Sequence, residues 1–194
     1  MKKNLKKEIE KIFKEWLMKI ESKKLKESVI KTYEIAIKRS KFRGIEEVVK
    51  MPFSILTDCR GITFIDHTLA VTSGAYHLAK AQEKYFKNLP YKINFDRLIA
   101  GALLHDVGKI LEIEPDGKGG YRKSRNGKLL RHPMSGIVIA SEAGVPDEIL
   151  NIIACHAKEG EGAPKIVETI FIHQADFATF DPLVMFEKGI LIGD

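Results

Sequence analysis

The sequence predicts an all-α fold: a helical bundle with a small β-hairpin insertion around residues 111–131 and a basic helical extension at the N-terminus. Three observations predict it. Apolar residues recur at three- and four-residue spacing through most of the chain, the period of a helix with one buried face. Asp, Asn, Pro and Gly fall between these segments, where helices start and stop. A single stretch, 111–131, breaks the helical period and carries turn residues instead.

In order, Leu5, Ile9, Ile12, Phe13, Trp16, Leu17 and Ile20 form the apolar stripe of a first amphipathic helix. Leu25, Val29, Tyr33 and Ile37 continue the pattern in a second helix after a break at 21–24. A third, short helix around 45–49 stops before Pro52. These helices either pack on their own chain, the simpler reading, or bind a partner. Asp66 is placed to cap a long helix running to about 87. Residues 94–96 then introduce a helix from 97 to about 108, whose interior from Leu98 to Leu104 is apolar on every side, as in a buried central helix. Turn signals at 115–120 and 125–128 mark the hairpin. Pro133 suits the first position of the next helix, which ends near Gly144. Pro146 and Asp147 open another, to about 157, and the glycine-rich run 160–164 breaks it. A last helix begins near 165 and ends before Pro182.

The 194 residues suffice for one compact domain, placed at 56–194, with the extension at 1–55. A hydrophobic content of 44% with 30% charged residues excludes a disordered chain. Cys59 and Cys155 form neither a disulfide framework nor a CxxC zinc motif and read as buried reduced thiols. No apolar run is long enough to span a bilayer, and the lysine-rich start lacks the apolar core of a signal peptide, so a cytoplasmic location is expected. The net charge of +6 is uneven: residues 1–50 hold 16 Lys and Arg against 8 Glu, and the remainder holds 16 against 18 acids. That basic arm either attracts anionic partners such as nucleic acid or is a solvated helix face.

The chemistry-bearing residues are histidines and aspartates. The buried helix ends in His105-Asp106, and burying an imidazole beside a carboxylate is costly unless a partner compensates. A bound cation does so, because these are ligand types for Mn, Fe, Zn, Co and Ni. A capping Asp beside a core His is the alternative. Four further residues add weight: His67 early in its helix, His132 before Pro133, His156 ending an apolar helix, and Asp176 in mid-helix among apolar neighbours. Successive helices thus each offer a ligand-type residue, which is how bundle cores build metal sites. His77, about three turns beyond His67, is not expected to be a ligand; His173, one turn before Asp176, reads as a core histidine or as a group orienting Asp176.

His67, the His105-Asp106 pair and Asp176 resemble the H…HD…D signature of the HD-domain phosphohydrolase superfamily, and residues 103–110 resemble its HDIG-type core. The resemblance covers roughly 60–182. His132-Pro133 with Gly136 is similar to an element of HD-GYP phosphodiesterases and ribonuclease Y-like HD domains, and His156 and Ala175-Asp176 match further HD-GYP positions. Cys155 and Ala157 stand where that subgroup has histidine and glutamate, and 160–164 only echoes its naming motif, so cyclic di-GMP hydrolysis is not implied.

The resemblance implies a metal-dependent phosphohydrolase acting on a nucleotide, cyclic nucleotide or nucleic acid. His67, His105, Asp106 and Asp176 would hold one divalent ion (Mn, Fe, Co, Ni, Zn or Mg), and His132 and His156 a second, with Asp106 as bridge. With one ion only, His132 and His156 would bind phosphate or act as general acid. Asp106 and Lys109 are the expected catalytic residues, with Lys109 and Arg131 binding substrate phosphate. Lys109 alternatively complements a helix C-terminus, and the basic hairpin is either a phosphate clamp or ordinary solvated charge. The rivals are a non-catalytic nucleotide- or metal-sensing module and a nuclease whose basic arm binds RNA or DNA. No oligomeric state is legible.

Overall fold

The computed structural model describes residues 2–193, with side chains from Leu5; Met1 and Asp194, the outer ends of the two expected segments, lie outside the described residues. Helices α1 (Lys2–Ile12), α2 (Lys14–Lys19), α3 (Lys23–Arg39) and α4 (Ile45–Val48) precede the long α5 (Phe64–Tyr85). Then come α6 (Phe95–Leu104), α7 (Lys109–Glu112), the hairpin strands β1 (Ile113–Pro115) and β2 (Tyr121–Lys123), α8 (Arg125–Leu129), α9 (His132–Ala143), α10 (Asp147–Cys155) and α11 (Val167–Glu187). A 3-10 turn at Lys158–Gly160 follows α10. The fold is all-α with a small β insertion.

Helix α6 is the axis of the bundle, with Leu98 through Leu104 all buried. It is shorter than the apolar run suggested. Past Leu104 the amides of Val107, Lys109 and Ile110 bond back three residues, to Leu104, Asp106 and Val107. These tight turns end the helix and restart the chain as α7. The apolar stripe of the first four helices lies in one core with α6, α9 and α10: Ile9, Phe13, Val29, Tyr33 and Val48 are fully buried there beside Leu103, Leu104 and Ile153. Two polar ties fix the arm. The Tyr33 hydroxyl donates to the Leu103 carbonyl (2.6 Å). The Asp96 carboxylate accepts from the Glu21 and Ser22 amides (2.8 Å each) at the corner where α2 meets α3.

Four expectations are corrected. The first helix is interrupted at Phe13 and so is two helices. Thr63, not Asp66, caps α5: the Thr63 hydroxyl accepts from the Asp66 amide (3.2 Å) while Asp66 accepts from the Thr63 amide (3.0 Å). Asp66 therefore serves as the third residue of a capping box. The hairpin is confined to Ile113–Pro115 against Tyr121–Lys123, because 109–112 and 125–129 are helical. In the latter, Ser124 caps through the Gly127 amide, and Gly127 is a contact glycine rather than a turn glycine: a Cβ there would lie 2.5 Å from the Glu112 carbonyl oxygen. Finally, α11 continues through Pro182 to Glu187. Proline forfeits one helix hydrogen bond, and in this last, largely exposed stretch the Arg60 guanidinium over the Phe186 ring and a Thr57–Glu187 hydrogen bond hold the helix on the chain.

Candidate metal centre

Six candidate residues reach the centre from five places along the chain, with His105 and Asp106 sharing one. The capping box starts α5 so that His67 sits one turn in, with its amide on the Thr63 carbonyl (3.0 Å). His105 and Asp106 occupy the tight turn after α6. His132 opens α9, which crosses so close to that turn that a Cβ on Gly108 would lie 2.0 Å from the His132 carbonyl oxygen. His156 ends α10, and Asp176 faces inward from the middle of α11.

The structure brings all six together. His67, His105, Asp106 and Asp176 offer donor atoms within 4.8 Å of one another, and Asp106, His132 and His156 form a second such group. Asp106 belongs to both. Its Oδ2 faces His67 Nε2 (3.2 Å) and His105 Nε2 (3.4 Å), and its Oδ1 faces His132 Nε2 (3.2 Å) and His156 Nε2 (3.5 Å). Asp176 Oδ1 lies 3.1 Å from His67 Nε2.

The other ring nitrogens set the tautomers. His105 Nδ1 donates to the Ala102 carbonyl (2.6 Å), His156 Nδ1 to the Ile153 carbonyl (2.9 Å) and His132 Nδ1 to Glu112 (3.1 Å). The Thr179 hydroxyl donates to the Asp176 carbonyl and so accepts from His67 Nδ1 (3.3 Å). With the proton on Nδ1, every Nε2 turns a lone pair toward carboxylate oxygens, which also carry lone pairs. His67 Nε2, His105 Nε2 and Asp106 Oδ1 are buried without a hydrogen bond, and Asp106 Oδ2 has only the Lys109 ammonium beside it (2.5 Å). Acceptors facing acceptors in a buried site need a cation between them. The donor set fits a divalent metal.

Charge follows the same geometry. Burial pushes the Asp106 carboxyl up, but Lys109, His105 and His132 outweigh it and hold the group well below the usual carboxylate range. Burial likewise raises Asp176, and the close approach of His67 (3.1 Å) with His105 and His156 nearby brings it down to about 2. Burial keeps His132 below its ordinary range, hence neutral with a free lone pair. Burial also pushes His67 down, yet Asp106 and Asp176 leave it above its ordinary value.

A cleft of about 290 Å³ opens over the centre. Asp106, His132 and Asp176 lie in its floor, with Lys109, Arg131 and Lys158 as cations and Phe53, Phe177 and Phe180 as an aromatic wall. Lys109 Nζ is 2.5 Å from Asp106 Oδ2. Arg131 also lines the cleft, but its guanidinium is braced between Glu112 (2.6 Å) and Glu159 (2.9 Å). His77 bonds to the Ser73 carbonyl and has no part in the centre. His173 does not orient Asp176; its Nδ1 donates to the His156 carbonyl (2.6 Å). Both thiols are free and buried.

Sequence reasoning missed the aromatic wall, Lys158, Thr179 and the place of Glu112 beside His132. Phe53 stacks on His67 (centroids 4.6 Å apart) from a segment assigned to the extension. Glu112 was discoverable, because Asp106, Lys109 and Glu112 follow one another at helical three-residue steps.

Among curated proteins, the chain is 30% identical over 117 residues to a dihydroneopterin 2',3'-cyclic phosphate phosphodiesterase of Methanocaldococcus jannaschii, covering 59% of this chain and 45% of that protein. It is 30% identical over 125 residues to the 3'-5' exoribonuclease YhaM of a Geobacillus species, covering 57% and 38%, and 29% identical over 116 residues to ribonuclease Y of Pseudothermotoga lettingae, covering 60% and 18%. The match thus spans less than half the length of each relative. No solved structure matches at comparable strength. Among the described residues, no helix is long and apolar enough to cross a membrane. The family model for the HD domain matches residues 64–178, a stretch that contains all six converging donors, and the chain belongs to that family.

Proposed function

We propose that this chain is a metal-dependent phosphohydrolase that cleaves a phosphodiester of a nucleotide-like molecule. The observation that carries this reading is Asp106, a buried carboxylate with one oxygen turned to each donor group at the floor of a cation- and phenyl-lined cleft. His67, His105, Asp106 and Asp176 would hold one divalent ion, and Asp106, His132 and His156 a second. A divalent ion held there (Mn, Fe, Co, Ni, Zn or Mg) would activate water near neutral pH and offset charge on the phosphoryl oxygens.

The chain's own groups bind and orient. Lys109 offers a point charge at the cleft floor, and Arg131 and Lys158 add positive charge at the rim. Phe53, Phe177 and Phe180 offer faces and edges for a flat heteroaromatic ring. The volume suits about one nucleotide unit, at the small end of ligand pockets. The names of the relatives, one phosphodiesterase and two ribonucleases, support a diester. One observation favours a nuclease as second reading: Arg125 and Lys128 border a surface groove with Arg122 and Lys123, and neither has an ion-pair partner within 4 Å among the described residues.

The test is a screen of metal-loaded protein against nucleoside monophosphates, 2',3'- and 3',5'-cyclic nucleotides, cyclic dinucleotides and short RNA. Turnover is expected with at least one metal and substrate, and Asp106→Ala should lose both turnover and bound metal. Tight binding without hydrolysis across all metals would instead make the chain a sensor, and full metal occupancy in Asp106→Ala would overturn the site.

A further inference from the structure

Glu112 is nearly as buried as the metal-centre residues, 5% exposed, yet it lies in neither donor group. Its two oxygens are divided. Oε2 accepts from the His132 amide (2.8 Å) and from His132 Nδ1 (3.1 Å). Oε1 accepts from Arg131 Nη1 (2.6 Å) and lies 3.6 Å from Lys123 Nζ. The side chain therefore touches the far edge of one imidazole, that of His132, and two cations, Lys123 at the end of β2 and Arg131 after α8.

The backbone of Glu112 is held as firmly. The Ser124 amide donates to its carbonyl (2.8 Å), and the Ser124 hydroxyl donates to that of Leu111 (2.5 Å). Gly127 packs against it so closely that a Cβ would lie 2.7 Å from Glu112 Cγ. The excursion from β1 to α8 thus leaves the centre at Glu112 and returns to it at Arg131 and His132, with one carboxylate joining exit to entry. His105 and His156 have neutral backbone carbonyls at the equivalent ring position, and His67 has a hydroxyl. His132 alone among the four has an anion.

We infer that Glu112 is a positioning residue that governs occupancy of the second metal position selectively, by fixing the tautomer and direction of His132. The inference rests on the two-metal reading above. An anion behind the ring keeps the proton on Nδ1, aims Nε2 at Asp106 Oδ1 and makes Nε2 a better donor to a cation. Loss of such a partner typically weakens metal affinity about 10–100-fold. Nothing in the first group touches Glu112, so that group keeps its affinity.

The test compares wild type with Glu112→Gln and His132→Ala by titrating metal-free protein with Mn²⁺ or Co²⁺ and measuring stoichiometry and both affinities. Glutamine has the same shape, so the fold and the hydrogen bonds from His132 can persist without the charge. Two ions are expected in wild type. Glu112→Gln should keep the tighter affinity and lose about 10–100-fold in the weaker one, and His132→Ala should lose the second ion outright. Imidazole ¹⁵N shifts of the metal-free proteins should change at His132 and stay constant at His105. Two ions with unchanged affinities in Glu112→Gln, or equal weakening of both, overturns the inference alone. A single ion in wild type overturns the two-metal reading and this inference with it.

Discussion

At the residue scale the decisive fact is that four imidazoles and two carboxylates share a buried space in which few of the facing atoms carry a proton to donate. In the metal-free protein, His67 bears the compensation. Its pKa lies above its ordinary 6.5, so its contribution to stability is complete below that value and is lost as pH rises through the raised pKa. Asp176, lowered from 3.8 to about 2, contributes above pH 3.8 and loses that contribution as pH falls toward 2. His132 works against His67: burial lowers its pKa, so below its ordinary 6.5 protonation favours the unfolded chain. Divalent metal needs the imidazoles deprotonated, so the rise in Tm on adding it should grow with pH across about 5.5–8. Melting curves with and without metal test this; a metal-induced shift that is flat across that range would detach His67 from the metal position. The histidines and aspartates were legible in the sequence because burying such groups is costly and six of them punctuate apolar helices. For Glu112 the three-residue spacing from Asp106 and Lys109 was the one available signal; its partners Arg131 and Lys123 were not legible, because they lie on a segment whose return path only the fold reveals.

At the element scale, long elements with strong period were readable and short ones were not. α8 has five residues and an Asn-Gly pair that reads as a turn, yet Gly127 is there to let the helix touch Glu112. α11 passes Pro182 because its exposed end tolerates one lost hydrogen bond. The crossing of α9 over the turn before α7 carries most of the site's geometry. Gly108 is its contact point, 2.0 Å from the His132 carbonyl oxygen and 2.7 Å from the Gly136 amide nitrogen as measured from a hypothetical Cβ. Both are backbone atoms that cannot swing aside. Gly108→Ala should cost about 1–3 kcal/mol in urea unfolding, the range for overpacking, and should move His132 enough to weaken metal uptake. Gly193→Ala, with open space around its Cβ, is the control and should change neither. Unaltered stability in Gly108→Ala would mean that α9 is not seated as closely as its backbone contacts indicate.

At the scale of the whole molecule, the charge on the first 50 residues suggests an arm while their apolar residues build core. Both are true of different faces: Lys6, Lys7 and Lys11 of α1 and Lys23, Lys31 and Lys38 of α3 are exposed, and Ile9, Phe13, Trp16, Val29, Tyr33 and Val48 lie at or below 4% exposure on the other side. The amphipathic stripe was legible in the sequence; its destination was not, because periodicity says that a face is buried but not against what. Here it covers α6 and α9, and Tyr33 bonds the carbonyl of Leu103, two residues before His105. Burying one large apolar side chain contributes about 1.5–3 kcal/mol, so these six alone rival the roughly 5–15 kcal/mol that keeps a domain folded. Deleting residues 1–40 should therefore yield an unfolded or aggregating chain with no metal uptake, rather than a folded domain without nucleic-acid affinity. Circular dichroism and metal analysis of the truncated chain check this. Replacing exposed Lys6, Lys7, Lys11 and Lys31 with glutamine leaves the core intact, and is the variant that separates a charge role of the arm from its part in the fold. Retained helicity and metal binding after the deletion would show that the bundle from α5 onward stands without it.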